Sequence, residues 1–163
     1  LIVPEPYFSQ YYPDNTDLPN NPPGHLENLP PAAKRLQTYT GTAGPYTDDE
    51  LRRARAAYYG MISFLDDKIG RLLDTLEETG QRENTVVIHT SDHGEMAGEH
   101  GCWWKSNYYE GSVGVPMIVR WPGEVEEGSS TGEICNLMDV FLISAVEHRG
   151  RHMNSHLIFP GKL

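Results

Sequence analysis

The sequence predicts an α/β fold with a mixed, mostly parallel sheet flanked by helices. Two apolar segments rich in β-branched residues, "TVVIHT" at 85–90 and "VPMIVRW" at 115–121, are typical of strands buried on both faces of a parallel sheet. A long helical pattern precedes the first segment, and a polar loop separates the two. Helix, buried strand, loop and buried strand in this order favour an α/β architecture.

Proline is concentrated in residues 1–46, where "VPEPYFSQYYPDNTDLPNNPPGHLENLPPAA" carries most of the 12 prolines of the chain. Proline fixes φ and favours extended conformations in the residue before it, so regular helix or sheet is not expected here. The tyrosines and Phe8 argue against plain disorder, which is poor in aromatic residues. We expect an ordered, irregular segment on the surface of a domain; the alternative is a boundary tail.

A long amphipathic helix is predicted to begin after Thr47. "TDDE" at 47–50 is a capping box, in which the Thr47 hydroxyl accepts from the amide of Glu50 and the Glu50 carboxylate reaches back. Gly80 is a suitable residue to end the helix, and Gly60 is a candidate for a bend or a division. Apolar residues recur every three or four positions along one face: Leu51, Ala54, Tyr58, Met61, Leu65, Ile69, Leu72 and Leu76.

The charge balance narrows the class of partner. The 163 residues carry 23 acidic and 13 basic side chains, for a formal net charge of −10. Nucleic acids and anionic membrane surfaces bind proteins through clusters of basic side chains. Because this chain is strongly acidic, neither is expected as a partner. No apolar run approaches the roughly 18 residues of a membrane-spanning helix. Cys102 and Cys135 form no C-x-x-C pair, and the cellular compartment and oligomeric state are left open.

The densest group of reactive side chains is "SDHGEMAGEHGCWWK" at 91–105, directly after the first predicted strand. In open α/β sheets, ligands bind beyond the carboxyl ends of the strands. Asp92 and His93 occupy that position, and a carboxylate oxygen with an imidazole nitrogen suits a divalent cation. The alternative for this pair is an aspartate turn cap beside a hydrogen-bonded histidine.

Other residues of this loop have competing interpretations. Lys105 can contact a phosphate or sulfate oxygen as a point charge, or it can be a solvated surface lysine. The two tryptophans before it can stack on a substrate, although packing is their more common use. His89, His93 and His100 can form a histidine-rich zinc site, but the sequence has no H-E-x-x-H, and a histidine inside a strand is more often a core residue.

Several spaced motifs occur in order: a T-S-D-H-G turn, a G-E-x-G element, an aromatic approach to a lysine, and E-G-x-x-x-V-P before a strand. With "AYYGMISFLDDKIGRLLDTLEETG" upstream, this pattern resembles the sulfatase family of the alkaline-phosphatase-like superfamily. Within that family it is similar to choline-sulfatase-like and iduronate-sulfatase-like members. The resemblance covers about residues 50–140.

The resemblance implies an alkaline-phosphatase-like α/β sandwich and hydrolysis of a small sulfate-ester substrate. Asp92 and His93 match a pair of metal ligands in the family, usually for Ca²⁺, with Mg²⁺ or Mn²⁺ as alternatives. Lys105 matches the catalytic lysine that contacts the sulfate and the leaving oxygen, whereas His100 receives no role. The nucleophile of such enzymes is a formylglycine made from a C/S-x-P-x-R motif.

The chain departs from the family pattern in the other half of the site. Neither cysteine lies in C-x-P-x-R, and the N-terminal aspartate pair and the upstream histidine and lysine set are absent. We therefore expect residues 47–141 to form the C-terminal half of a sulfatase site, with 1–46 an irregular segment and 142–163 a tail of unassigned structure. Formylglycine is expected outside this chain, and the isolated chain is expected to be inactive.

Two alternatives to sulfate-ester hydrolysis remain. A phosphonate or phosphodiester hydrolase of the same superfamily has a similar T-S-D-H-G turn, although the E-G-x-x-x-V-P context and the Trp-Trp-Lys approach favour a sulfatase. The other alternative is a catalytically inactive metal-binding fragment. Such a fragment is expected to bind calcium weakly, because the opposing carboxylates are missing.

Overall fold

The computed structural model describes residues 1–140, which divide into two compact units. The first unit contains residues 1–82 and 93–116. The second contains residues 83–92 and, of the described residues, 117–140. The predicted tail at 142–163 lies outside the described residues.

The first unit is helical and the second contains the sheet. The helices are α1 (Pro31–Thr40), α2 (Asp48–Glu78) and α3 (Glu110–Val113), and the strands are β1 (Val87–Thr90) and β2 (Met117–Arg120). Short 3₁₀ turns lie at Arg82–Asn84 and Glu99–Gly101. None of the helices in the described part of the chain is long and apolar enough to cross a lipid bilayer.

Helix α2 begins at the predicted capping box. The amide of Glu50 donates to the Thr47 hydroxyl at 3.2 Å, and the amide of Thr47 donates to the Glu50 carboxylate at 2.8 Å. Both amides belong to the first turn, where no helical carbonyl is available to accept from them. The prediction of the N-terminus is confirmed.

The other end of α2 is a Schellman motif. Gly80 is left-handed, with φ of 66°, and its amide donates to the carbonyl of Glu77 at 3.0 Å. The amide of Gln81 donates to the carbonyl of Leu76 at 2.9 Å. Glycine adopts this conformation without a Cβ clash, so Gly80 ends the helix as predicted.

Gly60 does not divide α2, which is continuous on both sides of it. A Cβ at Gly60 would lie 2.8 Å from the backbone carbonyl oxygen of Tyr7. Glycine is therefore the residue that lets the N-terminal segment approach the helix. The expected division does not occur, and the glycine serves a tertiary contact that helix periodicity does not reveal.

The N-terminal segment is fastened to α2 by tyrosine hydroxyls. The Tyr11 hydroxyl lies 2.7 Å from that of Ser63, and the Tyr12 hydroxyl donates to Asp49 at 2.6 Å. The ring of Tyr7 packs edge-on against Phe64 at a centroid distance of 5.4 Å. These contacts agree with an ordered surface segment.

Helix α1 lies where regular structure was not expected. Pro31 is the first residue of the helix, where its missing amide has no partner to lose, and Gly41 follows the last turn with φ of 68°. Proline density was therefore misleading for residues 31–40. Residues 137–140 are also helical.

Strands β1 and β2 form an antiparallel pair, with Val87 opposite Arg120 and Thr90 opposite Met117. The parallel arrangement expected for these two strands is wrong. Apolar residues on both faces indicate burial, but they carry no information about strand direction. The α/β class is confirmed, and residues 1–140 contain only this two-stranded part of the expected larger sheet.

A small core joins the proline-rich segment to the loop at 91–105, which is called the reactive loop below. Leu29 and Ala33 pack with Met96 and Cys102, and Tyr109 lies against them. Met96 and Cys102 are each 1% exposed. Burial raises the pKa of the Cys102 thiol. The loop after β1 therefore packs against Leu29 and Ala33 of the N-terminal segment.

Candidate active-site loop

The three predicted site residues lie on the loop that follows β1. Asp92 is exposed and belongs to the unit that contains the strands, whereas His93 is half-buried and belongs to the helical unit. Lys105 is exposed and also belongs to the helical unit. The convergence of the three side chains on one ligand stays a prediction.

The ring of His93 contacts the backbone of the next residue. Its Nδ1 lies 2.8 Å from the carbonyl oxygen of Gly94. A carbonyl can only accept, so Nδ1 carries a proton, and the neutral tautomer that fits this contact has its lone pair on Nε2. Metal-binding histidines commonly donate their second ring N–H to a carbonyl in this way. His93 is thus in a tautomer that suits ligation through Nε2.

Gly94 is required by the packing of the loop against α3. Its amide donates to the carbonyl of Ser112 at 2.9 Å. A Cβ at this position would lie 2.2 Å from the carbonyl oxygen of Gly111, a distance that no side chain tolerates. The glycine of the T-S-D-H-G turn therefore allows two backbone segments to meet beside His93.

Glu95 connects the two ends of the loop. One carboxylate oxygen accepts from the amide of Ala97 at 3.0 Å and from the amide of Trp104 at 2.6 Å. The amide of Met96 donates to the carbonyl of Trp104 at 3.0 Å. Trp104 directly precedes Lys105, so Glu95 fixes the backbone from which that lysine extends.

The loop is unusually rich in left-handed backbone. Within residues 1–140, four non-glycine residues have positive φ, and all lie here: Ala97 (47°), His100 (54°), Trp104 (62°) and Ser106 (78°). Such conformations cost on the order of 1–3 kcal/mol each and persist only where the surroundings impose them. Lys105 lies between two of these residues, which places its ammonium group on a tightly turned, exposed tip.

His100 is committed to packing contacts. Its Nδ1 lies 2.8 Å from Nε2 of His25, and its ring stacks on Tyr109 at a centroid distance of 4.1 Å. Among the residues that the structure describes, no three histidine, cysteine, aspartate or glutamate side chains are grouped to hold a metal ion. The three-histidine zinc alternative is therefore not supported.

The two tryptophans line a cavity of about 660 Å³. Trp103 packs edge-on against Tyr46, at a centroid distance of 6.4 Å. Trp104 is 49% exposed. Phe8 and Leu51 are among the apolar residues that also line the cavity. One tryptophan therefore has the packing role favoured by the sequence, while the other presents an indole to open space.

Arg55 and Glu95 support the loop structurally, and no sequence motif points to either of them in that role. Arg55 lies on α2 and its guanidinium donates to the carbonyl of Ala97 at 2.8 Å. A signal for Arg55 was present: an arginine among alanines, on a helix face that a globular protein buries. Glu95 had no comparable signal, because its partners are backbone amides.

Known proteins similar to this chain are sulfatases and a related hydrolase. The family model described as sulfatase matches residues 20–143. An arylsulfatase of Clostridium perfringens is 36% identical over 143 residues, which cover 86% of this chain and 29% of that protein. A choline-sulfatase of Rhizobium meliloti is 47% identical over 77 residues, which cover 47% of this chain and 15% of that protein.

Structural comparison agrees with the fold class. A phosphonate monoester hydrolase from Silicibacter pomeroyi superposes with a TM-score of 0.67 at 33% identity, covering 76% of this chain and 26% of that one. The chain thus spans less than a third of the length of these relatives. The family match includes the T-S-D-H-G turn, the Glu95 connection and Lys105, and it extends over more than half of the chain. The chain belongs to the sulfatase family, whose members are hydrolases.

Proposed function

We propose that the protein hydrolyses sulfate esters, and that this chain supplies the part of the active site that holds a divalent metal and the leaving group. The observation that carries this proposal is the loop from Asp92 to Lys105, whose path is fixed by Gly94 and Glu95 in a chain of the sulfatase family. Its relatives include an arylsulfatase and a choline-sulfatase.

The proposed metal ligands are Asp92 and His93. The exposed carboxylate of Asp92 is a hard oxygen donor, and the imidazole of His93 supplies a nitrogen donor. Two donors are fewer than the roughly six to eight ligands of Ca²⁺. The proposal therefore includes further ligands from elsewhere in the protein. A bound divalent cation, Ca²⁺ or alternatively Mg²⁺ or Mn²⁺, supplies positive charge beside the sulfate oxygens.

Lys105 is the proposed catalytic residue. Its ammonium group is a compact point charge with three N–H donors, carried on an exposed and tightly turned tip. A positive charge fixed near the ester oxygen stabilises the negative charge that develops there as the S–O bond breaks. The nucleophile belongs to the proposal too: formylglycine, formed from a C/S-x-P-x-R motif outside this chain.

The assay that tests the function is sulfate release by an enzyme that combines this chain with the nucleophile segment. Asp92→Asn keeps the size of the side chain and removes its charge, so kcat/KM for an aryl sulfate is expected to fall by about 10²-fold or more, as for loss of a key electrostatic contact. Asp74→Asn, on the exposed surface of α2, is the matched control. Undiminished sulfate release by the Asp92 variant would remove the metal-ligand role.

A second candidate is hydrolysis of a phosphonate or phosphate ester. It is favoured by the structural similarity to the phosphonate monoester hydrolase. The same cation and lysine can stabilise charge on either tetrahedral anion. Parallel assays with p-nitrophenyl sulfate and p-nitrophenyl phenylphosphonate separate the candidates, since both release the same chromophore. A higher kcat/KM for the phosphonate would favour the second one.

A further inference from the structure

We propose that Arg55 is a positioning residue, which sets the path of the loop that carries His93 and Lys105. The functional importance of this loop path depends on the catalytic role proposed above for Lys105. Arg55 lies on α2, far from that loop in sequence, and its side chain is 5% exposed. A charged side chain this deeply buried requires specific partners.

Those partners come from three parts of the first unit. Nη1 of Arg55 donates to the carbonyl of Ala97 at 2.8 Å and to the carboxylate of Glu99 at 3.2 Å. Nη2 donates to the carboxylate of Asp17 at 2.9 Å and to the Tyr59 hydroxyl at 2.7 Å. One guanidinium therefore joins the proline-rich segment, α2 and the reactive loop.

Ala97 is the point at which the loop is held. Its left-handed backbone, with φ of 47°, is maintained from both sides. Arg55 binds its carbonyl, while Glu95 accepts from its amide. The same oxygen of Glu95 accepts from the amide of Trp104, the residue before Lys105. A set of hydrogen bonds thus leads from Arg55 through Ala97 and Glu95 to the residue before the lysine.

Electrostatics keeps this arrangement charged. Burial by itself would lower the pKa of Arg55, but its hydrogen bond to Asp17 and the nearby negative charges outweigh burial and raise that pKa. Burial by itself would raise the pKa of Asp17. The hydrogen bonds from Arg55 and Tyr59 outweigh the effect of burial, so the pKa of Asp17 is lowered. The guanidinium and its carboxylate partner are therefore both ionised at neutral pH.

A role in stability alone explains Arg55 poorly. Buried ion pairs often stabilise a fold no better than apolar side chains of similar volume, because desolvation offsets their attraction. Nε of Arg55 is also buried without a hydrogen-bond partner among the described residues, and such a donor costs about 1–3 kcal/mol. What the arginine contributes is geometry: two nitrogens in a rigid fork, each with two acceptors, which the single ammonium of lysine does not reproduce.

The test uses the 163-residue chain with its lysines ¹³C-dimethylated, so that Lys105 gives an NMR signal alongside those of Lys34, Lys68 and Lys162. Arg55→Lys keeps the charge and removes the fork. We expect the Lys105 signal to shift while those of Lys34 and Lys68 stay in place. We also expect hydrogen exchange at the Trp104 amide to accelerate by about tenfold or more, as local opening becomes easier.

The matched control is Arg53→Lys, two residues away on α2, where an exposed arginine pairs with Asp49. It should move neither the Lys105 signal nor the Trp104 exchange rate. An unchanged Lys105 signal in folded Arg55→Lys would overturn the proposal. So would equal shifts of the Lys34, Lys68 and Lys105 signals, because they would show a general loss of structure.

Tyr59→Phe keeps the experiment decisive if Arg55→Lys does not fold. It removes the hydroxyl that accepts from Arg55 and donates to Asp17 at 3.1 Å, without any change of charge. A smaller shift of the Lys105 signal is expected, and no shift would refute the role of Arg55. The lysine NMR signals and the Trp104 exchange rate are both measured without catalytic turnover. Failure of the sulfatase proposal can therefore be distinguished from failure of the proposal for Arg55.

Discussion

Gly94 shows how one residue type can be dictated by a tertiary contact. The sequence places it in a T-S-D-H-G turn. The structure adds that the backbone of α3 itself lies against this glycine, with the carbonyl of Gly111 in the space of a side chain. The motif was visible in the sequence, but the identity of the neighbour was not, because the contact joins separate parts of the chain.

Gly94→Ala is expected to destabilise the chain by about 1–3 kcal/mol, as other overpacking substitutions do. The added methyl group would meet a carbonyl oxygen at 2.2 Å, so one backbone segment must move. Gly70→Ala is the control, since open space surrounds that position on α2 and alanine favours the helix. Urea denaturation followed by circular dichroism measures both; equal stability of the two variants would contradict the packing argument.

The pH dependence of Asp17 follows from its lowered pKa. A carboxyl group whose pKa is depressed by folding contributes stability above its unfolded pKa of about 3.9, and that contribution is lost as pH falls through the folded value. Wild type should therefore exceed Asp17→Asn in urea midpoint at pH 6, and the gap should close as pH falls below about 4. A gap that persists to pH 2 would show that the charge of Asp17 is not its source.

At the scale of elements, the ends of α2 were predictable and its neighbours were not. Capping boxes and left-handed glycines are local signals, and both occur as expected. Helix α1 was missed because its first-position proline is compatible with a helix, although proline density argued against one. The predicted relative direction of β1 and β2 was also wrong, because direction depends on the path of the chain between the strands rather than on their composition.

Thr47→Ala tests the N-terminal cap of α2. Loss of the hydroxyl leaves the Glu50 amide without its acceptor, so the free energy of unfolding should fall by about 0.5–2 kcal/mol. Thr75→Ala is the control, because this exposed threonine lies inside the helix, where alanine is the better helix former. Thermal unfolding of both variants provides the measurement, and a cap variant as stable as wild type would contradict the expected contribution.

At the scale of the whole molecule, the family could be predicted from ordered motifs, whereas the supports of the site could not. Asp92, His93 and Lys105 occur at motif positions in one continuous stretch. Arg55 acts on Ala97 across 42 positions, and periodicity gives no information on such a pairing. The division of the chain into a 1–46 segment, a 47–141 core and a tail stays a prediction.

Calcium titration of the 163-residue chain tests whether it holds only part of a metal site. Binding is expected to be weak, because Asp92 and His93 supply two of the roughly six to eight ligands that calcium takes. Isothermal titration calorimetry of wild type and Asp92→Asn provides the comparison. Tight, stoichiometric binding that depends on Asp92 would contradict the half-site proposal.

The thiol of Cys102 can report how often the reactive loop opens in solution. It is a free thiol enclosed by Leu29 and Met96, while the second free thiol, Cys135, is only partly enclosed. An alkylating reagent should modify Cys135 first and reach Cys102 only during transient excursions of the loop away from its core. The labelling rate of Cys102 would then count those excursions directly, with no substrate, metal or nucleophile required.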